Sequence, residues 1–268
     1  TVGRHLDAPE QAAGKPLFLR SHQGLAPTET ALAMRAYAET MASSAAALAR
    51  AASGDTESPQ GTVRISTSEV IGIEVLPPML AELQERHPRL TIELSLSDAV
   101  EDLLKQQADI AVRMVEPTQG ALLSRRIGGI PIGMFTHRRY LERHGTPATL
   151  ADLSAHRLIG FDSQLAYVRD MIKRHPEMSA LRFDFRSDSN VAQLAMIRAG
   201  GGIGMCQVGL AARDPDLVRL FGREIELQLM TWLVMHENLR AVPRCRVAFD
   251  ALAEGLIAYR ASIAGAVS

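Results

Sequence analysis

The chain has 268 residues, enough for two domains with cores of their own. Apolar residues make up 47% and charged residues 22%, an ordinary globular balance. Aromatics are only 4%, so the cores must rest on Leu, Ile, Val, Ala and Met. That scarcity argues against a platform that stacks single-stranded bases on exposed rings. A formal net charge of −1 gives the chain as a whole no basic field for nucleic acid or an acidic membrane.

Cys206 and Cys245 lie far apart and in no metal-ligand spacing, which fits a reducing cytoplasm and no cofactor. No apolar run approaches the length that spans a bilayer, and TVGRHLDAPEQ carries no charged-then-apolar export pattern. The chain begins with Thr1 rather than Met, which leaves room for an upstream segment that has been removed.

Taken in chain order, residues 1–27 are short, polar and turn-rich. Thr28 to Gly54 then reads as one helix. Thr28 supplies an N-cap, Glu29 an acidic first turn, and Gly54 the stop. Met34, Tyr37, Met41, Ser44, Leu48 and Ala51 recur at steps of three and four. That is a heptad seam on a helix of about 25 residues, roughly 38 Å long. One narrow stripe cannot bury itself, so pairing with the same helix of a second chain is expected, with packing on its own domain as the alternative.

Residues 55–61 (DTESPQG) read as a hinge. From Thr62 the pattern becomes strands alternating with helices. Thr62–Thr67 is a strand, and Val70–Glu85 a helix broken or kinked early by Pro77 and Pro78. Leu90–Leu96 is a strand, Val100–Gln107 a helix, and Asp109–Met114 a third strand. This run implies a parallel sheet with right-handed crossovers. Pro131–Thr136 starts a second, similar set. Its members are the helix Arg138–His144, strands Arg157–Phe161 and Leu181–Phe185 about a helix near Tyr167–Arg174, and the helix Asn190–Ala199. Strands Ile203–Cys206 and Leu229–Met235 and the helix Arg246–Tyr259 complete the chain. Two such sets in series give an α/β protein of two lobes with a cleft between them, opening at the carboxyl ends of strands.

Several segments carry a family resemblance. TVGRHL, then GKPLFLR at Gly14–Arg20, then GLAPTE at Gly24–Glu29 resemble the end of the winged helix-turn-helix of LysR-type transcription regulators. GTVRIST, LPPMLAELQERHPRLTIEL, DIAVRM, YLERHGTPATLADLSAHRLIGF and TWLVMHENLRAVPRCRVAFDAL are similar to successive segments of that family's sensor domain. The resemblance thus spans almost the whole chain, and the Ala-rich helix takes the place of the family's dimerising linker helix. It implies a periplasmic-binding-protein-like, two-lobed effector domain over residues 62–268. Lobe I would hold about 62–134 and 237–268, and lobe II about 135–236. A linker helix over 28–54 and a partial winged helix-turn-helix over 1–27 would precede it.

The same resemblance implies that Thr1, Val2 and Arg4 belong to the recognition helix and Arg20 to the wing. A Thr and an Arg on one helix face suit base edges and phosphates, and Arg20 suits a phosphate. There are departures. Gly3 stands where the family usually has Ser, Thr30-Ala31 replaces the usual Ala-Gly, and Pro9 is expected to end the recognition helix early. Residues that precede the recognition helix in the family are needed for a complete DNA-binding domain.

Residues 200–204 (GGGIG) invite a phosphate-loop reading. They follow a helix and enter a strand, the reverse of a dinucleotide loop, so a helix C-cap and tight turn is the better account. No G-x-S-x-G elbow or H-E-x-x-H occurs, and the eight histidines stand singly. His87, His144, His156 and His175 read as surface or helix-end residues, and His137 and His236 as ends of apolar strands.

Cleft candidates come from strand ends that run into helix starts. They are Thr67, Ser68 and Glu69, then Ser97 and Asp98, then Phe161, Asp162 and Ser163, then Ser187, Ser189 and Asn190, and finally Gly204, Met205 and Cys206 with Gln207. Free N–H groups at helix starts favour carboxylates or phosphates, and the resemblance implies small organic acids or aromatics near the hydroxyls after the first strand. Glu69, Asp98, Asp162 and Asp188 would crowd such an anion. Asp98 and Asp188 read as helix caps, and Glu69 as the partner of a cationic or hydrogen-donating ligand group.

The reading is a non-enzymatic DNA-binding transcription regulator that senses a small organic effector and acts as a homodimer or homotetramer on promoter DNA, with no membrane partner. A solute receptor of the periplasmic type would need an export signal and no heptad helix. A small cytoplasmic α/β enzyme would need strongly perturbed titrating groups converging in the cleft.

Overall fold

Glu10 ties the N-terminal region together. The computed structural model describes residues 9–21, 24–35, 37, 38, 41, 45, 59–96, 108–117, 122–162, 173, 182–225 and 227–266. Residues 9–13 are helical, so Pro9 stands at the start of the described helical residues; the recognition helix that it was expected to end lies outside them. The Glu10 carboxylate accepts from the N–H groups of Leu17 at 2.7 Å and Phe18 at 3.0 Å. That fixes the start of a two-stranded ribbon, β1 (Phe18–Ser21) and β2 (Gly24–Pro27), paired antiparallel from Phe18 opposite Pro27. Thr28 then caps the helix that follows, accepting from the Ala31 N–H at 3.3 Å. Residues 29–35, 37, 38, 41 and 45 are helical.

The sensor sheet begins as the alternation required. β3 (Gly61–Thr67) is flanked by β4 (Leu90–Leu96) and β5 (Ile110–Arg113), both parallel to it. The second set departs from expectation. β6 (Leu122–His137) is one continuous strand of 16 residues, and β11 (Leu227–His236) runs antiparallel along it. β11 also pairs with β5, so two long strands carry the sheet from one half of the molecule into the other. β9 (Gly204–Gln207) and β10 (Leu217–Leu220) add to the far half of β6, again antiparallel. The short parallel pair β7 (Ile159–Gly160) and β8 (Phe185–Arg186) is joined through a bridge from Leu158 to Ile203. The second set is therefore mixed rather than parallel. β10 and the helical turn α4 (Val208–Ala211) were not anticipated, since four residues carry no measurable period. The helix expected over Val100–Gln107 lies outside the described residues, as does that near Tyr167–Arg174 apart from the helical Lys173.

The first helix shows how a sequence oddity becomes geometry. Residues Ile71–Val75 form a π-turn that passes into α1 (Leu76–Arg86). Pro77 and Pro78 lack the N–H groups that an α-helix would return to residues 73 and 74, and the wider turn spreads that loss. The Glu74 carbonyl, left free by Pro78, accepts from Arg213 Nη1 at 2.7 Å. α1 buries Leu76, Leu80 and Leu83 on the sheet beside α5 (Pro243–Ala266), which buries Cys245, Phe249, Leu252 and Leu256. Each such Leu stabilises by about 1.5–3 kcal/mol.

α2 (Arg138–His144) and α3 (Asn190–Arg198) lie in the second half. His137 and His236 share one device at their strand ends. Each accepts on Nδ1 from a backbone N–H two residues on, at 3.2 and 3.3 Å, and so caps the next turn. The glycine run after α3 is a helix stop, as expected. Gly200 has φ +68°, its N–H bonds to the Ile197 carbonyl at 2.9 Å, and the Gly201 N–H bonds to Met196 at 3.0 Å. These are the two bonds of a Schellman motif. Gly202 cannot take a side chain, because a β-carbon would lie 2.5 Å from the Arg157 carbonyl oxygen.

One apolar core runs through both halves, joining Val63, Ile65, Ile110 and Leu233 to Ile197, Cys206 and Leu210 by way of α5. A second core around Tyr140, Leu153, Leu158, Ile203 and Ile225 belongs to the far half alone.

Candidate functional site

The carboxyl end of β3 delivers Thr67, Ser68 and Glu69 to one place, and the start of α3 faces them from the other half of the molecule. Ser189 is the N-cap of α3, accepting from the Ala192 N–H at 3.3 Å. Its hydroxyl donates to Glu69 Oε2 at 2.7 Å. The carboxylate at the positive end of α3 is therefore the protein's own. A helix N-terminus favours an anion there, and this accounts for an acid in a place suited to anionic ligands. Asp188 does not cap α3, contrary to expectation; it accepts instead from the Asp162 N–H at 3.1 Å.

The other end of α3 is held as well. Arg198 grips Glu74 with both nitrogens, Nη1 to Oε1 at 2.6 Å and Nη2 to Oε2 at 3.1 Å. Arg213 adds its bond to the Glu74 carbonyl. The Glu74 carboxyl is held below its ordinary range, chiefly by the hydrogen bonds from Arg198. The Arg198 side chain is 35% exposed and that of Glu74 20%, so this pair is better shielded than a surface pair of small value. Glu69 and Glu74 thus clasp α3 at both ends, through its cap Ser189 and its last residue Arg198, and Arg213, beyond the helix, adds a further bond to the same turn. Sequence reasoning missed Glu74, Arg198 and Arg213. The available signal was a lone Glu within an apolar run just before a Pro-Pro pair.

Beside the clasp lies a buried hydroxyl without a partner. Thr67 is fully buried, and among the described residues its Oγ1 has no hydrogen-bond partner. An unsatisfied buried hydroxyl costs about 1–3 kcal/mol. Beneath it, Arg113 is buried at the end of β5 and donates to the Ser66 hydroxyl at 2.8 Å and the Ser66 carbonyl at 3.2 Å. A cation closing an otherwise apolar strand was a signal that the sequence reading passed over.

The remaining candidates divide. Ser187 lies in the same turn, its hydroxyl accepting from the Ser189 N–H at 3.2 Å and its carbonyl from Gln193 Nε2 at 2.7 Å. Asn190 opens α3 and is half-buried, as is Phe161, whereas Asp162 is exposed and pairs with Arg186 at 3.3 Å. Gly204, Met205 and Cys206 are in β9, paired against β6. The Cys206 thiol is pushed up to about 12 by burial, which makes it a core group rather than a nucleophile. Gln207 accepts from the Tyr259 hydroxyl at 2.9 Å and joins β9 to α5. Ser97, Asp98 and Ser163 lie outside the described residues, as do Thr1, Val2, Arg4 and Leu48; Arg20 is in β1. Among the described residues no group of His, Cys, Asp and Glu is placed to hold a metal ion.

Comparison with known proteins bears on the fold and the family. Residues 56–257 match the family model of the LysR substrate binding domain. An uncharacterised HTH-type transcriptional regulator of Haemophilus influenzae is 28% identical over 193 residues, 70% of this chain and 67% of that protein. The HTH-type transcriptional regulator CrgA of Neisseria meningitidis serogroup C is 29% identical over 105 residues, 39% of this chain and 35% of that protein. The match to CrgA therefore spans about a third of its length. The solved structure of CrgA, described as a LysR-type transcriptional regulator, superposes with a TM-score of 0.66 at 22% identity, covering 95% of this chain and 88% of that one. A continuous α/β sheet crossed by two long strands, a clasped interlobe helix and a family match over three quarters of the sequence lead to one assignment. The chain belongs to the LysR family, through the substrate-binding domain that gives it its two-lobed, periplasmic-binding-protein-like fold.

Proposed function

We propose that this chain is the sensing part of a cytoplasmic LysR-type transcription regulator, not an enzyme, and that a small organic effector binds between its lobes. The observation that carries the proposal is the hydrogen bond from Ser189 to Glu69 across the two halves, next to the unpartnered Thr67 hydroxyl. An effector that supplies its own donor to Glu69 and a polar group to Thr67 replaces one interlobe contact and satisfies one orphan. It thereby has different affinity for two lobe arrangements, which is what a switch requires. Ser68, Ser187, Asn190 and Phe161 complete this proposed site, with Ser97, Asp98 and Ser163. Gly204, Met205 and Cys206 support it from beneath. Lobe I and lobe II are divided as the family resemblance implies, and the bulge between Thr231 and Trp232 supports a crossing in β11.

The signal passes to promoter DNA through the winged helix-turn-helix, where Thr1, Val2 and Arg4 would face bases and Arg20 a phosphate. The chains assemble through the linker helix. Met34, Tyr37 and Met41 are 41%, 74% and 74% exposed on one chain, so their own chain leaves that stripe for a partner, continued by Leu48. A homodimer, or a homotetramer built from two, follows.

The test is a binding screen of amines, polyols and carboxylates against the wild type and Glu69→Gln. Donor-bearing ligands should bind the wild type and lose about tenfold or more in Glu69→Gln, the equivalent of one charge-assisted hydrogen bond. If carboxylates bind best and Glu69→Gln is neutral or beneficial, the assignment of Glu69 is wrong.

A further inference from the structure

β6 carries two adjacent glycines, Gly128 and Gly129, in the middle of a 16-residue strand. Glycine there weakens a strand and marks a bulge or a place where something approaches the backbone closely. Both are found. The register slips opposite Thr231 and Trp232, which face Gly128 and Arg126 with Ile127 skipped, and Gly128 has φ +114°. A β-carbon on Gly128 would collide with Arg260 Nη1 from α5, and one on Gly129 would lie 2.5 Å from Gln228 Oε1. The missing side chains leave a groove of about 450 Å³ bounded by Arg126, Arg260, Gln228 and Met230.

The chemistry of that groove is one-sided. Its described lining contains two guanidinium groups and no carboxylate. Among the described residues neither Arg126 nor Arg260 has a hydrogen-bond or ion-pair partner, whereas the other cations near lobe contacts, Arg198 and Arg213, are committed. Arg126 comes from β6, Gln228 and Met230 from β11, and Arg260 from α5, so the groove is shared by both crossing strands and the C-terminal helix. We propose that it is a second ligand site, separate from the one beside Thr67 and Glu69, and that it takes a small organic anion. Arg126 and Arg260 grip the carboxylate, Gln228 adds an amide donor, and Met230 and the glycine floor accept the apolar body. Guanidinium forks match a carboxylate in this way and lose little hydration in doing so. An occupant bridges α5 to both strands that connect the lobes, and so acts on their relative arrangement from behind the cleft.

The test uses hexanoate as the anion, hexanamide as its neutral counterpart and inorganic phosphate as an anion without an apolar body, each titrated by calorimetry into the wild-type chain, Arg126→Gln, Arg260→Gln and Arg143→Gln. The expected result is saturable binding of one hexanoate per chain, at least tenfold tighter than hexanamide or phosphate. Arg126→Gln and Arg260→Gln should each weaken it at least tenfold, and Arg143→Gln, an equal loss of charge on the exposed side of α2, should leave it unchanged. Arg126 and Arg260 are exposed too, so their variants should melt with the wild type. Absence of saturable hexanoate binding, equal binding of hexanamide, or affinity indifferent to Arg126→Gln and Arg260→Gln overturns the proposal.

Discussion

Arg198→Ala should lower the stability of the protein by about 1–3 kcal/mol, because it strands the part-buried Glu74 carboxylate without its bidentate partner. In a protein of this size that is roughly 2–4 °C of melting temperature per kcal/mol. Glu74→Gln should cost less, and a double-mutant cycle between the two should return a coupling of about 0.5–3 kcal/mol. The pair also has a pH signature. The Glu74 carboxyl titrates below its ordinary value of 4.5 in the folded chain, so the folded state favours the ionised form. Its contribution is complete above pH 4.5 and is lost as pH falls below that value through the lowered native one. The wild-type advantage over Glu74→Gln should hold from pH 7 to 4.5 and shrink under stronger acid. Hydrogen exchange locates the effect: α3 amides should exchange faster in Arg198→Ala, while those of β3 and β5 should not. Unchanged α3 exchange would show that the clasp does not hold the helix.

Thr67→Val should move stability and binding in opposite directions. The hydroxyl is buried and unpartnered, so replacing it with a methyl group removes a desolvation penalty and should stabilise the unliganded protein by about 1 kcal/mol. If that hydroxyl awaits the effector, the same change should weaken effector binding by about tenfold or more, the equivalent of one lost hydrogen bond. A thermal melt without ligand and a titration with any ligand found in the screen read the two effects separately. A purely structural Thr67 would lose stability on substitution.

These two predictions rest on features of different legibility. β3, β4 and β5 could be read from their alternation, the Thr28 cap from its position before an Ala-rich run, and the glycine C-cap from a helix before it and a strand after it. All are local signals. The clasp was not legible, because Ser189 meets Glu69 across 120 positions and Arg198 meets Glu74 across 124. Periodicity carries no information about which distant polar groups meet. The identity of β6 was obscured for a related reason: Pro131 and three glycines interrupt its pattern, and its continuity depends on β11 alongside it. Glu69 could be read as an acid just beyond β3 and as the partner of a ligand donor; in the structure its partner is the Ser189 hydroxyl that caps α3.

The central claim is that a small molecule enters between the lobes by taking over the Ser189–Glu69 contact and satisfying Thr67. Its most direct test is a thermal-shift screen of amines, polyols and small organic acids on the wild type, Thr67→Val and Ser189→Ala. The account predicts at least one compound that raises the wild-type melting temperature, raises that of Thr67→Val far less, and raises that of Ser189→Ala more, because no protein hydroxyl then competes for Glu69. Compounds that stabilise all three proteins equally would contradict it.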